Sequence, residues 1–212
     1  IRPAELAVYL DQVFGDLPVG AENVGLPQFR LGGAGQIALI ERDQPQTVIM
    51  AGMPGIKRED PDWFPAMVMN YVLGGDFQSR LMSEIRIKRS LTYGISTALV
   101  PYKAGGVMFA MASTDNAKVE PLMKQLREEM RKMAMGGVTE NELAEAKTYL
   151  TGSFALRFSS SDNISDVLLE VQRIGLPASY LQERANIINA VSQGDVARLS
   201  EQLLKPHAMS VV

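Results

Sequence analysis

The sequence predicts an α+β domain whose sheet is mostly antiparallel, with helices packed on one face. Predicted strands arrive in adjacent pairs along the chain, and adjacent strands favour antiparallel pairing. Helical segments follow each pair, and the longest carries a continuous apolar stripe. The chain has 212 residues, 46% of them hydrophobic, which is enough to bury a core without a metal or disulfide.

The first 30 residues are predicted to lie outside this domain. The segment AELAVYLDQVF, residues 4–14, places apolar residues at the spacing of an amphipathic helix. Repeated glycines and prolines then break the helical pattern. We therefore interpret residues 1–30 as the end of a preceding N-terminal domain and a linker, and residues 31–212 as a C-terminal domain.

The first half of the domain is predicted to contain two strands and two helices. The strands lie near QIALIE (36–41) and TVIMAGMPG (47–55), with a polar turn between them. A helix is predicted to begin at Asp60-Pro61 and to end at Gly74-Gly75. A second helix covers FQSRLMSEIRIKR (77–89). The residues of this second helix that we expect in the core are Leu81, Met82 and Ile85.

The second half begins with a predicted hairpin and the clearest helix. Residues 91–102 and 105–114 read as strands joined through KAGG. Residues 117–134 form a helix with its charges on the opposite side from one apolar stripe. The stripe consists of Val119, Leu122, Met123, Leu126, Met130 and Met133.

The remaining elements are predicted to be helices and one strand. Residues 139–142, Thr-Glu-Asn-Glu, fit a capping box that starts a helix. Further helices are expected at residues 162–174, 178–190 and 195–204. The ending HAMSVV is predicted to form the final strand.

Composition excludes several classes of function. The net charge of −3 and the lack of a long basic stripe argue against a nucleic-acid partner. The absence of cysteine excludes disulfides and cysteine-bound zinc, and fits a bacterial periplasm or a cytosol, of which we expect the periplasm. No apolar run is long enough to predict a membrane span.

The histidine count excludes a zinc site built on two histidines within this chain and argues against a catalytic triad. His207 is the single histidine, so two histidines cannot ligate zinc here. It has no nucleophile motif near it, and we interpret it as a surface or strand-edge residue. We therefore predict no cofactor in this chain.

The stretch SEIRIKRSLTYGIS, residues 83–96, contains the candidate site. Arg86 and Tyr93 lie seven residues apart across a predicted helix-to-strand turn. One interpretation is structural: Arg86 is solvated, and Tyr93 is half-buried beside Leu91 and Ile95 in the alternating strand pattern. The other interpretation places both side chains at a binding site. The pattern alone leaves both open.

A longer stretch, VLGGDFQSRLMSEIRIKRSLTYGIS (72–96), resembles the signature of the pitrilysin-type zinc metallopeptidases. This family includes insulin-degrading enzyme and mitochondrial processing peptidase. Its signature is a helix with S-R-L and E-x-R elements that leads to L-x-Y at a strand. The matching residues are Ser79, Arg80, Leu81, Glu84, Arg86, Leu91 and Tyr93. The similarity extends over roughly residues 45–212.

The resemblance implies a division of labour between two homologous halves. In this family the N-terminal half binds zinc through H-x-x-E-H, and the metal-free C-terminal half supplies an arginine and a tyrosine seven residues apart. This chain lacks the histidine motif and so resembles the C-terminal half. By this resemblance Arg86 and Tyr93 are catalytic and substrate-binding residues, and zinc is expected on another domain or subunit.

The implied function is therefore part of a zinc endopeptidase that acts on peptides or unfolded segments. Alone, the chain is predicted to be inactive because it lacks H-x-x-E-H. Its expected partners are the zinc-bearing half or a partner subunit, a peptide substrate, and a second copy in a homodimer of the isolated half. The alternatives are a non-catalytic scaffold or helper subunit of the same family and an unrelated α+β binding domain.

Overall fold

The protein is described by a computed structural model that covers residues 1–18, 20, 32–177 and 179–212. Its sheet has four strands in the order β2-β3-β1-β4, and all three neighbouring pairs are antiparallel. The strands are β1 (Gln46–Pro54), β2 (Gly94–Tyr102), β3 (Gly105–Asp115) and β4 (Ser210–Val211). The predicted α+β fold and the predicted hairpin between β2 and β3 are both confirmed.

Seven α-helices are found in the described residues. They are α1 (Pro3–Phe14), α2 (Trp63–Asn70), α3 (Val119–Gly136), α4 (Glu140–Gly152), α5 (Ser161–Arg173), α6 (Tyr180–Ala190) and α7 (Gln193–Leu203). Two π-helical segments, Tyr71–Gly75 and Met82–Ile87, connect α2 to β2. Short 3-10 turns occupy Asn116–Lys118, Ser153–Phe158 and Pro206–Ala208.

In the part of the chain that the structure describes, helices cover one face of the sheet and leave the other face open. Along β1, Ile49 and Ala51 are buried whereas Val48 and Met50 are exposed. This alternation follows from the two-residue period of a strand. The predicted stripe of α3 belongs to the same core cluster as Ile49 and Ala51, with five of its six residues buried and Val119 partly buried. The core therefore lies between the sheet and the helical layer.

The prediction of a strand over residues 36–41 is wrong. Only Ile37 forms a bridge, to Val211, and the Ala38 N–H donates to the Val211 carbonyl at 2.8 Å. Leu39 and Ile40 are 78% and 64% exposed. Since no helix among the described residues covers this run, its apolar side chains find no layer there against which to form a buried strand face.

The first helix of the domain begins later than predicted. Asp60-Pro61 lies in a turn before α2, in which the Asp62 N–H donates to the Asp60 carboxylate at 2.9 Å. Asp62 is the N-cap, so the helix starts at Trp63. The second predicted helix is also shorter than 77–89, because residues 77–79 form a turn and helical structure starts at Arg80.

The N-terminal helix is confirmed as α1, and it has no buried residue. The predicted boundary between residues 30 and 31 falls outside the described residues, so the division into two domains stays a prediction. Within the described part of the chain, no helix combines the length and apolarity required to cross a bilayer.

Candidate active-site cleft

A cleft of about 400 Å³ lies where the second π-helical segment turns into β2. Arg86 and Tyr93 both line it, together with Ser90, Thr114, Asp115 and Lys118. The structure therefore brings the two predicted site residues to one concave surface. The cleft lies at the end of β2 and β3 where Gly94 pairs with Ser113.

The turn that joins the two residues is held by backbone hydrogen bonds. The Ser90 N–H donates to the Arg86 carbonyl and the Leu91 N–H to the Ile85 carbonyl, each at 3.0 Å. Ser90 has a φ of 50°, in the left-handed region common at helix ends. This reversal directs the chain from the helix into the strand and fixes where Arg86 lies relative to Tyr93.

Two buried threonines hold the backbone on both sides of Tyr93. The Thr92 hydroxyl donates to the Ser113 carbonyl at 2.6 Å and accepts from the Gly94 N–H at 3.1 Å. The Thr114 hydroxyl donates to the Leu91 carbonyl. Sequence analysis missed both residues, because their partners lie on the neighbouring strand and no local pattern identifies them.

Tyr93 projects into solvent and is 87% exposed. The interpretation that it is half-buried beside Leu91 and Ile95 is therefore wrong. Strand alternation applies only from Gly94 onward, because β2 starts there. The Tyr93 side chain therefore contributes little to the core.

Arg86 is half-buried, and its guanidinium lies 4.6 Å from the centre of the Phe77 ring. It forms no ion pair with any described residue. Its neighbours Lys88 and Arg89 both pair with Glu84, and these hydrogen bonds, with Lys88 as the larger contributor, lower the pKa of that carboxyl. Arg86 is thus the cation of this run whose donors are available to a ligand.

Lys118 adds a second cation to the cleft, but the carboxylate of Asp115 compensates its charge. Its ammonium lies 2.8 Å from Asp115, and this hydrogen bond raises the pKa of Lys118. The adjacent open face of the sheet carries a largely apolar groove of about 460 Å³, lined in part by Val48, Phe77 and Met111. Phe77 therefore borders the groove and also contacts Arg86.

Another residue of the signature has a structural role. Arg80 binds Glu142 through two hydrogen bonds, from Nε at 2.6 Å and Nη2 at 2.7 Å, and also donates to the Gly137 carbonyl at 3.0 Å. Glu142 completes the predicted capping box with Thr139, which is confirmed. Burial tends to raise the pKa of Glu142, but Arg80 and the Thr139 backbone lower it overall.

Replacing Arg80 by methionine is expected to destabilise the fold by about 2–3 kcal/mol at pH 7, because Glu142 loses its partner while partly buried. The pKa of Glu142 is below its ordinary value of 4.5 in the folded state. The pair therefore stabilises the protein above pH 4.5, and this contribution is lost as the pH falls through the folded pKa. Urea unfolding at pH 7 and pH 3 measures both effects.

The matched control is Arg131→Met, which removes an exposed ion pair with Glu128 on α3. Exposed pairs contribute about 0–1 kcal/mol, so this variant is expected to stay close to the parent protein. Equal losses in the two variants, or an Arg80→Met deficit as large at pH 3 as at pH 7, would contradict the assignment.

The described residues contain no group of three or more histidine, cysteine, aspartate or glutamate side chains that could hold a metal ion. His207 lies exposed in a 3-10 turn before β4. The cleft offers hydrogen-bond donors from Arg86 and Tyr93 and the positive charge of the Arg86 guanidinium.

Comparisons with known proteins agree with the resemblance found in the sequence. A family model described as the peptidase M16 inactive domain matches residues 1–150. An uncharacterized zinc protease of Streptomyces coelicolor is 33% identical over 177 residues, which cover 81% of this chain and 37% of that protein. The non-peptidase homolog YmxG of Helicobacter pylori is 29% identical over 175 residues, or 80% and 40% of the two chains.

A solved structure has the same fold. The crystal structure of a peptidase M16 inactive domain from Pseudomonas fluorescens matches all of this chain with a TM-score of 0.87 and 30% identity, and the match covers 51% of that chain. The chain spans about two fifths of the length of the two curated relatives that it matches.

Proposed function

Since this chain belongs to the peptidase M16 inactive-domain family, we propose that it is the metal-free half of a zinc endopeptidase. In this proposal Arg86 and Tyr93 bind substrate and stabilise the transition state at a zinc site on another domain or subunit. The main support is their shared cleft, where Arg86 lacks a carboxylate partner among the described residues and Tyr93 is 87% exposed.

The proposed role of Tyr93 follows from the charge that develops during peptide hydrolysis. The scissile carbonyl oxygen gains negative charge, and a positioned donor lowers the barrier. A zinc ion in the other half would supply Lewis-acid chemistry and an activated water. The Tyr93 hydroxyl would donate a hydrogen bond to the carbonyl oxygen. Because Thr92 and Thr114 anchor its backbone, Tyr93 can be positioned before substrate arrives.

Arg86 is proposed to hold the substrate backbone. A guanidinium keeps its charge at all physiological pH values and offers several donors in a fixed plane. The ring of Phe77 contacts the Arg86 guanidinium. Stacking of this kind limits the orientation of the group and leaves in-plane N–H groups for carbonyl acceptors. Phe77 also borders the apolar groove, which could then accept a neighbouring apolar side chain of an extended peptide.

A reconstitution assay tests the proposal. The 212-residue chain is expected to cleave no fluorogenic peptide by itself, and to support cleavage when combined with its zinc-bearing half. Chelation of zinc should abolish that cleavage, and added zinc should restore it. Cleavage by this chain alone, after exhaustive purification, would contradict the proposal.

A non-catalytic helper subunit is the second candidate, and the non-peptidase homolog of Helicobacter pylori favours it. The two candidates differ in the half that accompanies this chain. An H-x-x-E-H motif in that half supports the endopeptidase. A stable complex that lacks the motif and cleaves no peptide supports the helper.

A further inference from the structure

A small cavity in the helical layer lies apart from the proposed active site. Its volume is about 90 Å³, and no described residue lines both this cavity and the cleft of Arg86 and Tyr93. We call it the arginine pocket. The residues that define it are Arg58, Trp63, Arg157, Glu170, Tyr180 and Arg184. They come from α2 and the segment before it, the turn after α4, α5 and α6.

Two guanidinium groups of the pocket are buried without a carboxylate partner. Arg58 is 9% exposed and Arg184 is 8% exposed, and neither forms an ion pair within the described ranges. Arg58 donates to the Tyr180 hydroxyl at 2.7 Å, and Arg184 donates to the Leu150 carbonyl at 2.8 Å. Buried charges normally require a partner of opposite charge, so this arrangement is unfavourable unless an anion joins it.

Aromatic rings offset part of this cost. The Arg58 guanidinium lies 4.9 Å from the centre of the Trp63 ring and 5.3 Å from that of Tyr180. Arg184 lies 4.2 Å from the Phe154 ring. Such contacts stabilise a cation but do not neutralise its charge. The rings therefore orient the guanidinium groups while the pocket stays positive.

The single carboxylate among the described lining residues is already paired. Glu170 lies 2.8 Å from Arg157, which is more exposed than the other two arginines. Burial lowers the pKa of Arg184, and the positive charges of Arg157 and Arg58 lower it further against the opposing effect of Tyr180. Three arginines thus face one carboxylate.

Trp63 supplies an independent observation. Its side chain lines the pocket and is 8% exposed, and its indole nitrogen is buried without a hydrogen-bond partner. Buried donors without a partner are rare in folded proteins and need an explanation such as a bound ion or water. The guanidinium groups are therefore the donors that call for an acceptor in the pocket, and the indole is a buried donor beside them that has no partner among the described residues.

We propose that the arginine pocket binds one small oxyanion, a carboxylate or a phosphate group. Guanidinium groups match the geometry of both, and the charge of either compensates Arg58 and Arg184. The volume equals that of about three water molecules, which suits a group of this size. Because the lining residues belong to α2, α5 and α6, bound anion would also hold these helices together.

Thermal unfolding of this chain with sodium acetate or sodium phosphate, at constant ionic strength set with chloride, tests the proposal. Binding to the folded state is expected to raise Tm by roughly 3–6 °C per tenfold increase in anion concentration above Kd. The anion with the lower Kd identifies the class, carboxylate or phosphate. Isothermal titration calorimetry gives the Kd values independently of any peptidase activity. No saturable effect of either anion would overturn the proposal.

Three variants locate the site. Arg58→Gln is expected to raise the Kd by at least about tenfold, since a charge-assisted bond is lost. Glu170→Gln removes the competing carboxylate and is expected to lower the Kd by about three- to tenfold. Arg173→Gln, on the exposed end of α5, is the control and should leave the Kd unchanged.

The variants still test the proposal if one of them fails to fold. An unchanged Kd in Arg58→Gln would overturn the proposal. Should Arg58→Gln be unstable, Glu170→Gln decides alone, because Glu170 is partly exposed and its removal does not open the core. An unchanged or higher Kd in Glu170→Gln would then overturn the site.

Discussion

Replacing Tyr93 by phenylalanine is expected to lower kcat by roughly 10- to 1,000-fold in the assembled protease. The substitution removes one hydroxyl from a side chain that is 87% exposed, so the free energy of unfolding should stay the same. KM is expected to change little, because the proposed hydrogen bond strengthens only as charge develops on the carbonyl oxygen. Steady-state kinetics on a peptide substrate, with thermal unfolding of the same samples, measures both effects.

Tyr102→Phe is the matched control. Tyr102 is an exposed tyrosine at the opposite end of β2, outside the residues that line the cleft. The Tyr102→Phe variant makes the same chemical change at the far end of the strand that follows Tyr93, and kcat is expected to stay at the parent value. If kcat for Tyr93→Phe also stays at that value while the fold is intact, Tyr93 has no part in the transition state.

The elements that the sequence predicted well are those specified by local residues. The stripe of α3 repeats every three to four residues, and the capping box of α4 needs only Thr139 and Glu142. The hairpin of β2 and β3 is similarly marked by KAGG, whose first two residues form the connection and whose glycines begin β3. In each case the residues that decide the structure are close together in the chain, so a pattern suffices.

The misses arise where distant residues decide the outcome. The apolar run at residues 36–41 resembles a strand, but whether it becomes one depends on a covering layer, which the described residues do not supply. The exposure of Tyr93 depends on Thr114, which anchors Leu91 from another strand. The bond from Arg58 to Tyr180 joins residues 122 positions apart. Such pairings have no periodic signal in a single sequence.

The candidate site was predicted by resemblance, and the structure refines what that resemblance means. Residues of one short signature divide into two groups with different contacts. Arg80 is bound to Glu142 and ties the helix to α4, whereas the Arg86 guanidinium lies beside the Phe77 ring and forms no ion pair with any described residue. Sequence alone could not separate these two arginines, because both lie in the same helical stretch. Their partners separate them.

Arg86 and Arg89 differ in whether they form an ion pair with a described residue, and this difference leads to the last prediction. Arg86→Ala is expected to lower kcat/KM by about 10- to 100-fold in the assembled protease, the effect of losing hydrogen bonds from a charged donor to the substrate. Arg89→Ala removes a guanidinium three residues away that already pairs with Glu84, and is expected to leave kcat/KM almost unchanged. Arg86→Lys keeps the charge without the planar fork, so it should restore part of the loss.

The division of the Arg86→Ala effect between KM and kcat then defines its role. A rise in KM alone restricts Arg86 to holding the substrate, whereas a fall in kcat shows that its hydrogen bonds strengthen in the transition state. Equal losses in Arg86→Ala and Arg89→Ala would mean that general positive charge at this surface is responsible. The lack of an ion pair at Arg86 among the described residues would then not affect catalysis, because an ion-paired arginine and an unpaired one would contribute equally to kcat/KM.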